Sequence, residues 1–372
     1  MFGIGGFMRI PGIRAIHKWI SLSFLCLWIL QAASGLAIGY RADIDDFFLG
    51  QSARETDAAA MAASIEKLQA AGDEISSVWI SGGRKGQYDI YLERGGEDRT
   101  VRIDGAGTQL RDRSDTNRFS DGAVFETLTR FHKSLMLGSV GYVFLMVSGL
   151  LLASNIILGV VMGWPKRERL TAFARTSGAP KAARLSGWHW RIGFWGAIPA
   201  VCIILTGSAL TQSDILAEWL GVEEQTPELY APASAPSASL ETAIEAALVQ
   251  FPGASLVAIN LPTEHRPWYK FRLNAPGEMP RLYGATRVFV GLDGAILLDH
   301  DARKSAPNER IVEALYPLHT GQIGGSIGRM VNTATGIWLL VMIALGLKLW
   351  LARRQQRRPA TSPVVNDDQP RT

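Results

Sequence analysis

Charge is scarce in this chain. Asp, Glu, Lys and Arg make up 19% of its 372 residues, apolar residues make up 47%, and mean hydropathy is positive at +0.10. A soluble domain of this size carries closer to 25% charged residues, so the composition points to a membrane. Cysteine is scarcer: only Cys26 and Cys202, in neither a CxxC pair nor a CxxCH haem attachment. That excludes covalently attached haem, a cysteine-held iron–sulfur cluster and disulfide-stapled outer domains. Both cysteines fall inside apolar runs and read as packing residues. No HExxH is present, and Gly3-Ile4-Gly5-Gly6 lacks the strand, helix and spacing of a dinucleotide fingerprint.

What the chain does have is four long apolar runs, over 22–40, 134–164, 193–210 (extended at its start by Trp188, His189, Trp190 and Arg191) and 327–350, which 321–329 could extend to His319. About 20 residues of helix span a hydrocarbon core of roughly 30 Å, so four membrane helices are expected. Basic residues fix their direction. Arg9, Arg14 and Lys18 precede the first run; Lys166, Arg167, Arg169, Arg175, Lys181 and Arg184 join the second to the third; Arg353, Arg354, Arg357 and Arg358 follow the fourth. All three groups fall on one side, which the positive-inside rule makes the cytoplasm, so loops 41–131 and 211–318 face the periplasm. The formal charge of +4 follows from topology and anionic lipid, with no nucleic-acid partner. The N-terminus resembles a signal peptide, but Gln31-Ala32-Ala33-Ser34-Gly35 is a weak cleavage pattern and retention is expected.

The organisation repeats. Each half reads as basic segment, span, outer loop, histidine, span. The first loop has a helical run at 57–68 and strand candidates at 75–81, 88–93 and 100–103; the second has a helix at 240–249 and strands at 256–261, 268–273, 286–290 and 295–298. The expected fold class is a membrane α-helical four-helix bundle built from an internal repeat, carrying two small α+β periplasmic domains. The segments are 1–40 (N-terminus and span one), 41–131 (outer domain one), 132–164 (span two), 165–187 (cytoplasmic loop), 188–210 (span three), 211–318 (outer domain two), 319–350 (span four) and 351–372 (tail). Each outer domain is marginal alone at its size, so docking on its twin or on the helices is expected.

Four of the six histidines, His17, His132, His189 and His319, stand at the mouths of these spans. A buried ionisable ring at membrane depth is costly unless it is bound or hydrogen-bonded. The repeat pairs His17 with His189 at the cytoplasmic end and His132 with His319 at the periplasmic end. A pseudo-two-fold axis along the membrane normal brings equivalent groups face to face. Imidazole nitrogen is a strong axial ligand, and a haem held between two has no open site, which suits electron transfer. The plainer reading of any one such histidine is an interfacial hydrogen-bonding residue. Arg14, Lys18, Lys133, Arg191 and Arg329 flank the mouths and are candidate partners for haem propionates, although lipid contacts explain basic residues there too. Gly35, Gly138, Gly141, Gly149, Gly193, Gly196, Gly207, Gly324, Gly325, Gly328 and Gly336 could admit a macrocycle or let helices touch. His265 and His300 read as surface or local residues.

Arg14-Ala15-Ile16-His17-Lys18-Trp19, Phe131-His132-Lys133 and Leu318-His319-Thr320-Gly321, with Gly336 downstream, resemble the PepSY-associated transmembrane family over about residues 10–352, and the outer loops resemble PepSY modules. Within the family the chain is most similar to inner-membrane ferric-siderophore (ferrioxamine) reductases. The resemblance implies two haem b groups, His17/His189 on the cytoplasmic side and His132/His319 on the periplasmic side, and electron delivery to a ferric siderophore. A quinol or cytoplasmic donor is required, since the sequence offers no flavin or nicotinamide domain. Trp268, Tyr269, Tyr283, Arg287, Arg303 and Tyr316 are candidate substrate contacts. Asp43, Asp45, Asp46, Glu223 and Glu224 are the acidic alternative for a cationic substrate. A haem reductase with another acceptor, a transporter and a membrane-anchored sensor or binding protein stay open as alternatives.

Overall fold

The computed structural model describes residues 11–41, 43–44, 47, 54–81, 86–114, 124–165, 180–228 and 238–356. Arg9, Asp45, Asp46, Lys166, Arg167, Arg169, Arg175, Arg357, Arg358 and the expected turn at 82–83 lie outside them. The helices are α1 (Pro11–Ser23), α2 (Leu25–Gly39), α3 (Ala58–Ala70), α4 (Val124–Ser134), α5 (Gly138–Gly163), α6 (Lys181–Leu210), α7 (Ser213–Trp219), α8 (Leu240–Gln250), α9 (Pro307–Thr320) and α10 (Gly325–Gln356). The strands are β1 (Glu74–Ile80), β2 (Gln87–Arg94), β3 (Glu97–Asp104), β4 (Gln109–Ser114), β5 (Ser255–Asn260), β6 (Trp268–Asn274), β7 (Thr286–Gly291) and β8 (Ile296–His300).

Among the described residues α5, α6 and the run that ends in α10 are long and apolar enough to cross a membrane. The α1–α2 pair, bent by 61°, adds a fourth crossing if it is one span. The uninterrupted first span of the sequence reading is therefore broken at Phe24. No proline or glycine marks the bend; the Phe24 ring stacks on Trp28 at 5.6 Å. Val140, Val143, Phe144, Val147, Leu150, Ile157 and Val161 of α5 are exposed, an apolar face that lipid covers. Between helices, Trp28 Nε1–H donates to Ser148 Oγ at 3.0 Å and Trp338 Nε1–H to the Ile192 carbonyl at 2.7 Å. Such bonds fix helix register where no water competes.

The strands form one antiparallel sheet in the order β4-β3-β2-β1-β5-β6-β7-β8. The order is symmetric about its centre, where β1 meets β5 through Val78↔Ile259 and Trp79↔Ala258. Each half would otherwise leave β1 or β5 as an open edge, and pairing them removes both liabilities. Helices α3 and α8 lie against each other on one face. Each is capped alike, Asp57 accepting from the Ala60 amide and Ser239 from the Thr242 amide. The core runs without interruption from Met61, Ile65, Val78 and Ile90 to Ile244, Ile259, Phe271 and Val288.

Two differences from the sequence reading matter for the site. β4 had no counterpart in it: Gln109-Leu110-Arg111-Asp112-Arg113-Ser114 is a polar edge strand without an apolar alternation. And His132 and His319 do not begin the spans that follow them. They end the separate helices α4 and α9, set off by a break with positive φ at Leu135 and Met136 in one case and at Gly321 in the other. Gly321 closes α9 in the left-handed conformation that glycine adopts without strain.

Asp73 is buried and accepts two hydrogen bonds from Arg94, at 2.7 and 2.6 Å; those bonds hold its carboxyl below the ordinary value against the cost of burial. A depressed carboxyl stabilises the fold above its unfolded value, and the contribution is lost as pH falls below about 4. Because Arg94 is half exposed, the pair contributes about 1 kcal/mol or less. Asp73→Asn is expected to lower the melting temperature in detergent at neutral pH and to flatten its decline between about pH 5 and 3; an unchanged acid profile would contradict this.

Candidate functional site

The four span-mouth histidines meet in two pairs. The rings of His17 (α1) and His189 (α6) lie 6.3 Å apart between centroids, near the ends of α1 and α10 at what is here termed the terminal side. Those of His132 (α4) and His319 (α9) are also 6.3 Å apart, beneath the sheet. Two imidazoles on opposite sides of one metal need about 2 Å per metal–nitrogen bond and about 1.1 Å from each nitrogen to its ring centre, which is about 6 Å in all. The separation therefore suits one iron between each pair.

Hydrogen bonding sets the tautomers. His17 Nδ1–H donates to the Asn155 carbonyl at 3.0 Å and His319 Nδ1–H to the Ile203 carbonyl at 2.9 Å. Ser34 spends its proton on the Gln31 carbonyl, so the 3.0 Å contact to His132 Nδ1 is a donation by the imidazole. In three of the four rings the proton is thus held on Nδ1, which leaves the Nε2 lone pair free to act as a ligand. Ring orientation by a carbonyl is the usual outer support of a metal-bound histidine. His189 Nδ1 is buried with no hydrogen-bond partner.

Each ring also lies against a glycine of a neighbouring helix. A Cβ at Gly35 would come within 2.9 Å of His132 Cε1, at Gly207 within 2.6 Å of His319 Cε1, and at Gly159 and Gly346 within 3.3 Å of the Cε1 atoms of His17 and His189. The register is that of the repeat. His17 and His189 are 172 positions apart, as are Gly35 and Gly207, and Gln31 and Ile203; His132 and His319 are 187 apart, as are Gly159 and Gly346. The same two offsets relate Gly149 under Ser208 to Gly336 under Leu36. Gly35 and Gly207 were legible as small residues; Gly159 and Gly346 escaped notice, and carrying the histidine offsets along the chain would have found them.

The flanking cations behave differently from one another. Arg14 and Lys18 are exposed, Lys18 lying over the Trp19 ring at 4.4 Å. Arg191 is half-buried two residues beyond His189. Lys133 stands beside His132, its ammonium held below the ordinary value by loss of solvent and then by Arg41 and Arg130. Arg329 binds Asp43 at 2.6 Å and ties α10 to the end of α2. Arg41, which no sequence motif marks, donates to Thr129 Oγ1 at 3.1 Å and to the Tyr283 hydroxyl at 2.9 Å, joining the end of α2 to α4 and to the β6–β7 connection.

Of the expected substrate contacts, Tyr283 and Tyr316 come together, ring centres 5.6 Å apart, one helical turn before His319. Arg287 faces the same region, bound to Glu224 at 2.9 Å. Trp268 is buried, Tyr269 stacks on the core residue Phe271, and Arg303 binds Asp301 beyond the far end of the sheet, so these three do not converge on the pair. His265 is exposed and His300 contacts Ser305 at 3.2 Å, in keeping with local roles.

The model of the PepSY-associated TM region matches residues 14–353, nearly the whole chain and all four histidines. The chain belongs to the PepSY-associated TM region family. No curated protein matches it. Family and apolar helices together make this a membrane protein.

Because the added carbon has less room at Gly207 and Gly35 than at Gly159 and Gly346, alanine at the first two is expected to displace the ring and cost about 1–3 kcal/mol in thermal stability. Alanine at the second two should cost less. Equal losses at all four would contradict the geometry.

Proposed function

We propose that this PepSY-associated membrane protein is a transmembrane reductase that holds two haem b groups non-covalently, one per histidine pair, and reduces a ferric siderophore. The observation that supports it is the pair geometry: two facing imidazoles, 6.3 Å apart, at each end of the apolar helices. When bound, such groups supply one-electron transfer with no open coordination site. His17, His132, His189 and His319 would be the ligands, the Asn155 and Ile203 carbonyls and the Ser34 hydroxyl orient three of the rings, and the four glycines set the depth of each ring. On α6 alone, His189 and Gly207 under His319 are separated by about 27 Å of helix axis. One group could not reach across that distance, and two shorten the gap.

The direction of transfer follows from charge and chemistry. Arg14, Lys18, Lys181, Arg184, Arg353 and Arg354 collect at the terminal side, which the positive-inside rule makes cytoplasmic and the sheet periplasmic in a bacterial inner membrane. A quinol or a cytoplasmic reductant would give the electron there. On the sheet side one electron converts chelated Fe(III) to Fe(II), and oxygen donors that grip the hard ferric ion hold the ferrous ion less well, so iron is released.

Purified protein is expected to contain about two haem b per chain. Alanine at His17 or His189 should remove one spectral component, and alanine at His132 or His319 the other, while reduction of a ferric siderophore by the dithionite- or quinol-reduced protein is lost in all four. Full haem content in every variant would overturn the assignment. Rapid haem reduction with no transfer to any ferric chelate would overturn the substrate.

A further inference from the structure

One row of directly paired residues crosses all eight strands: Arg111, Arg102, Asp89, Trp79, Ala258, Arg272, Arg287 and His300. Paired residues share a face, and this face is opposite the one that packs α3 and α8, since Val78, Ile90, Val101, Ile259 and Phe271 alternate with it in the core. It looks toward α4 and α9, as the Arg113–Glu126 ion pair and the Trp79–Tyr283 contact at 6.1 Å show.

Like charges opposite one another in a sheet repel. Along this row Arg102 is compensated by a two-point pair with Asp89 at 2.8 and 3.0 Å, and Arg287 by Glu224. Arg272 stands directly across from Arg287, with its guanidinium over the Trp79 ring at 5.7 Å. Burial, and then Arg281 and Arg287, push its proton affinity down to about 10. The Nε atoms of Arg281 and Arg287 are buried with no hydrogen-bond partner. Around this point Lys270, Arg272, Arg281 and Arg287 face Glu224, Glu278 and Glu313, four cations against three anions. The ring faces of Trp79, Tyr283 and Tyr316 line the same place, and Tyr316 leads to His319 on α9. Burial holds the Tyr316 phenol above its ordinary value, so it adds no negative charge.

We propose that Arg272 and Arg281, with Trp79 and Tyr283 beside them, form the acceptor site and that it takes an anionic ferric chelate, one whose carboxylates or catecholates leave net negative charge, in preference to a cationic trihydroxamate. The inference rests on the ferric-reductase reading for the word ferric; the anion preference rests on the sheet itself. Surplus guanidinium groups with unmatched donors, stacked on aromatic rings, bind planar oxyanions by paired hydrogen bonds. The same carboxylate chemistry could be supplied by a propionate of the sheet-side haem, and the test separates the two sources.

Redox-inert Ga(III) chelates would be titrated into the holo-protein, one an anionic tricatecholate and one a cationic trihydroxamate. The tricatecholate is expected to bind at least tenfold tighter at low salt, and that advantage should shrink with added salt. Arg272→Gln and Arg281→Gln should each weaken it about tenfold, leave trihydroxamate binding within about twofold, and leave haem content and the reduced spectrum unchanged. Because binding of gallium complexes needs no electron transfer, it reads the site even if reduction of ferric chelates fails, which would instead sink the reductase reading. Equal binding of both chelates, equal weakening of both, or no binding of either would overturn the proposal. A loss of haem from Arg272→Gln with chelate binding intact would assign the cations to a propionate and overturn it as well.

Discussion

An imidazole ring lying edge-on against a glycine of the next helix is the contact on which the rest of this architecture depends. A side chain at Gly35, Gly159, Gly207 or Gly346 would occupy the space of a histidine ring, and the helices would have to part. The absence of a Cβ brings the main chain close enough for Asn155 and Ile203 to accept from the same rings. The position of each histidine ring therefore comes from one local geometry, used four times in two offsets of 172 and 187 residues, and for His17 and His319 the same close approach also sets the tautomer.

The sheet extends that symmetry outside the membrane. Joining β1 to β5 turns two small, individually marginal units into one sheet with a shared core, and it puts a single cross-strand row over the sheet-side histidine pair. Helices α4 and α9 then do two things at once: they carry His132 and His319 at their C-terminal turns, and they bear Glu126, Glu313 and Tyr316 toward the sheet. Arg41 closes the arrangement from α2. The two histidine pairs are not equivalent, however. The sheet-side pair has both Nδ1 atoms satisfied; at the terminal side His189 does not, because nothing bonds it as Asn155 bonds His17.

Much of this was legible in the sequence, and the failures have physical causes. The histidines announce themselves because an imidazole at an apolar boundary is expensive, and their pairing follows from the repeat. The strands with alternating Val, Ile, Tyr and Phe are readable; β4 is not, since an edge strand needs no buried side and reads Gln-Leu-Arg-Asp-Arg-Ser. Docking of the outer units on each other or on the helices is expected from their small size, but that they join by pairing β1 with β5 was hidden because only two residue pairs carry it. The break between His132 and its following span is not legible because Leu135, Met136 and Leu137 continue the apolar run, whereas the break after His319 falls at Gly321, whose left-handed conformation a sequence does not reveal. The Arg329–Asp43 pair was not legible, since the two residues lie nearly 300 positions apart in sequence.

The central claim is that facing imidazoles bind iron at both ends of the apolar helices, and electron paramagnetic resonance of the oxidised, haem-loaded protein tests it most directly. The ring planes of His17 and His189 are 75° apart, which would leave the dπ orbitals of an iron held there nearly degenerate; those of His132 and His319 are 33° apart, which would split them. Two low-spin ferric signals are predicted, one strongly anisotropic and lost in His189→Ala, the other rhombic and lost in His319→Ala. A high-spin signal as the main species, or protein that binds no haem at all, would contradict the account.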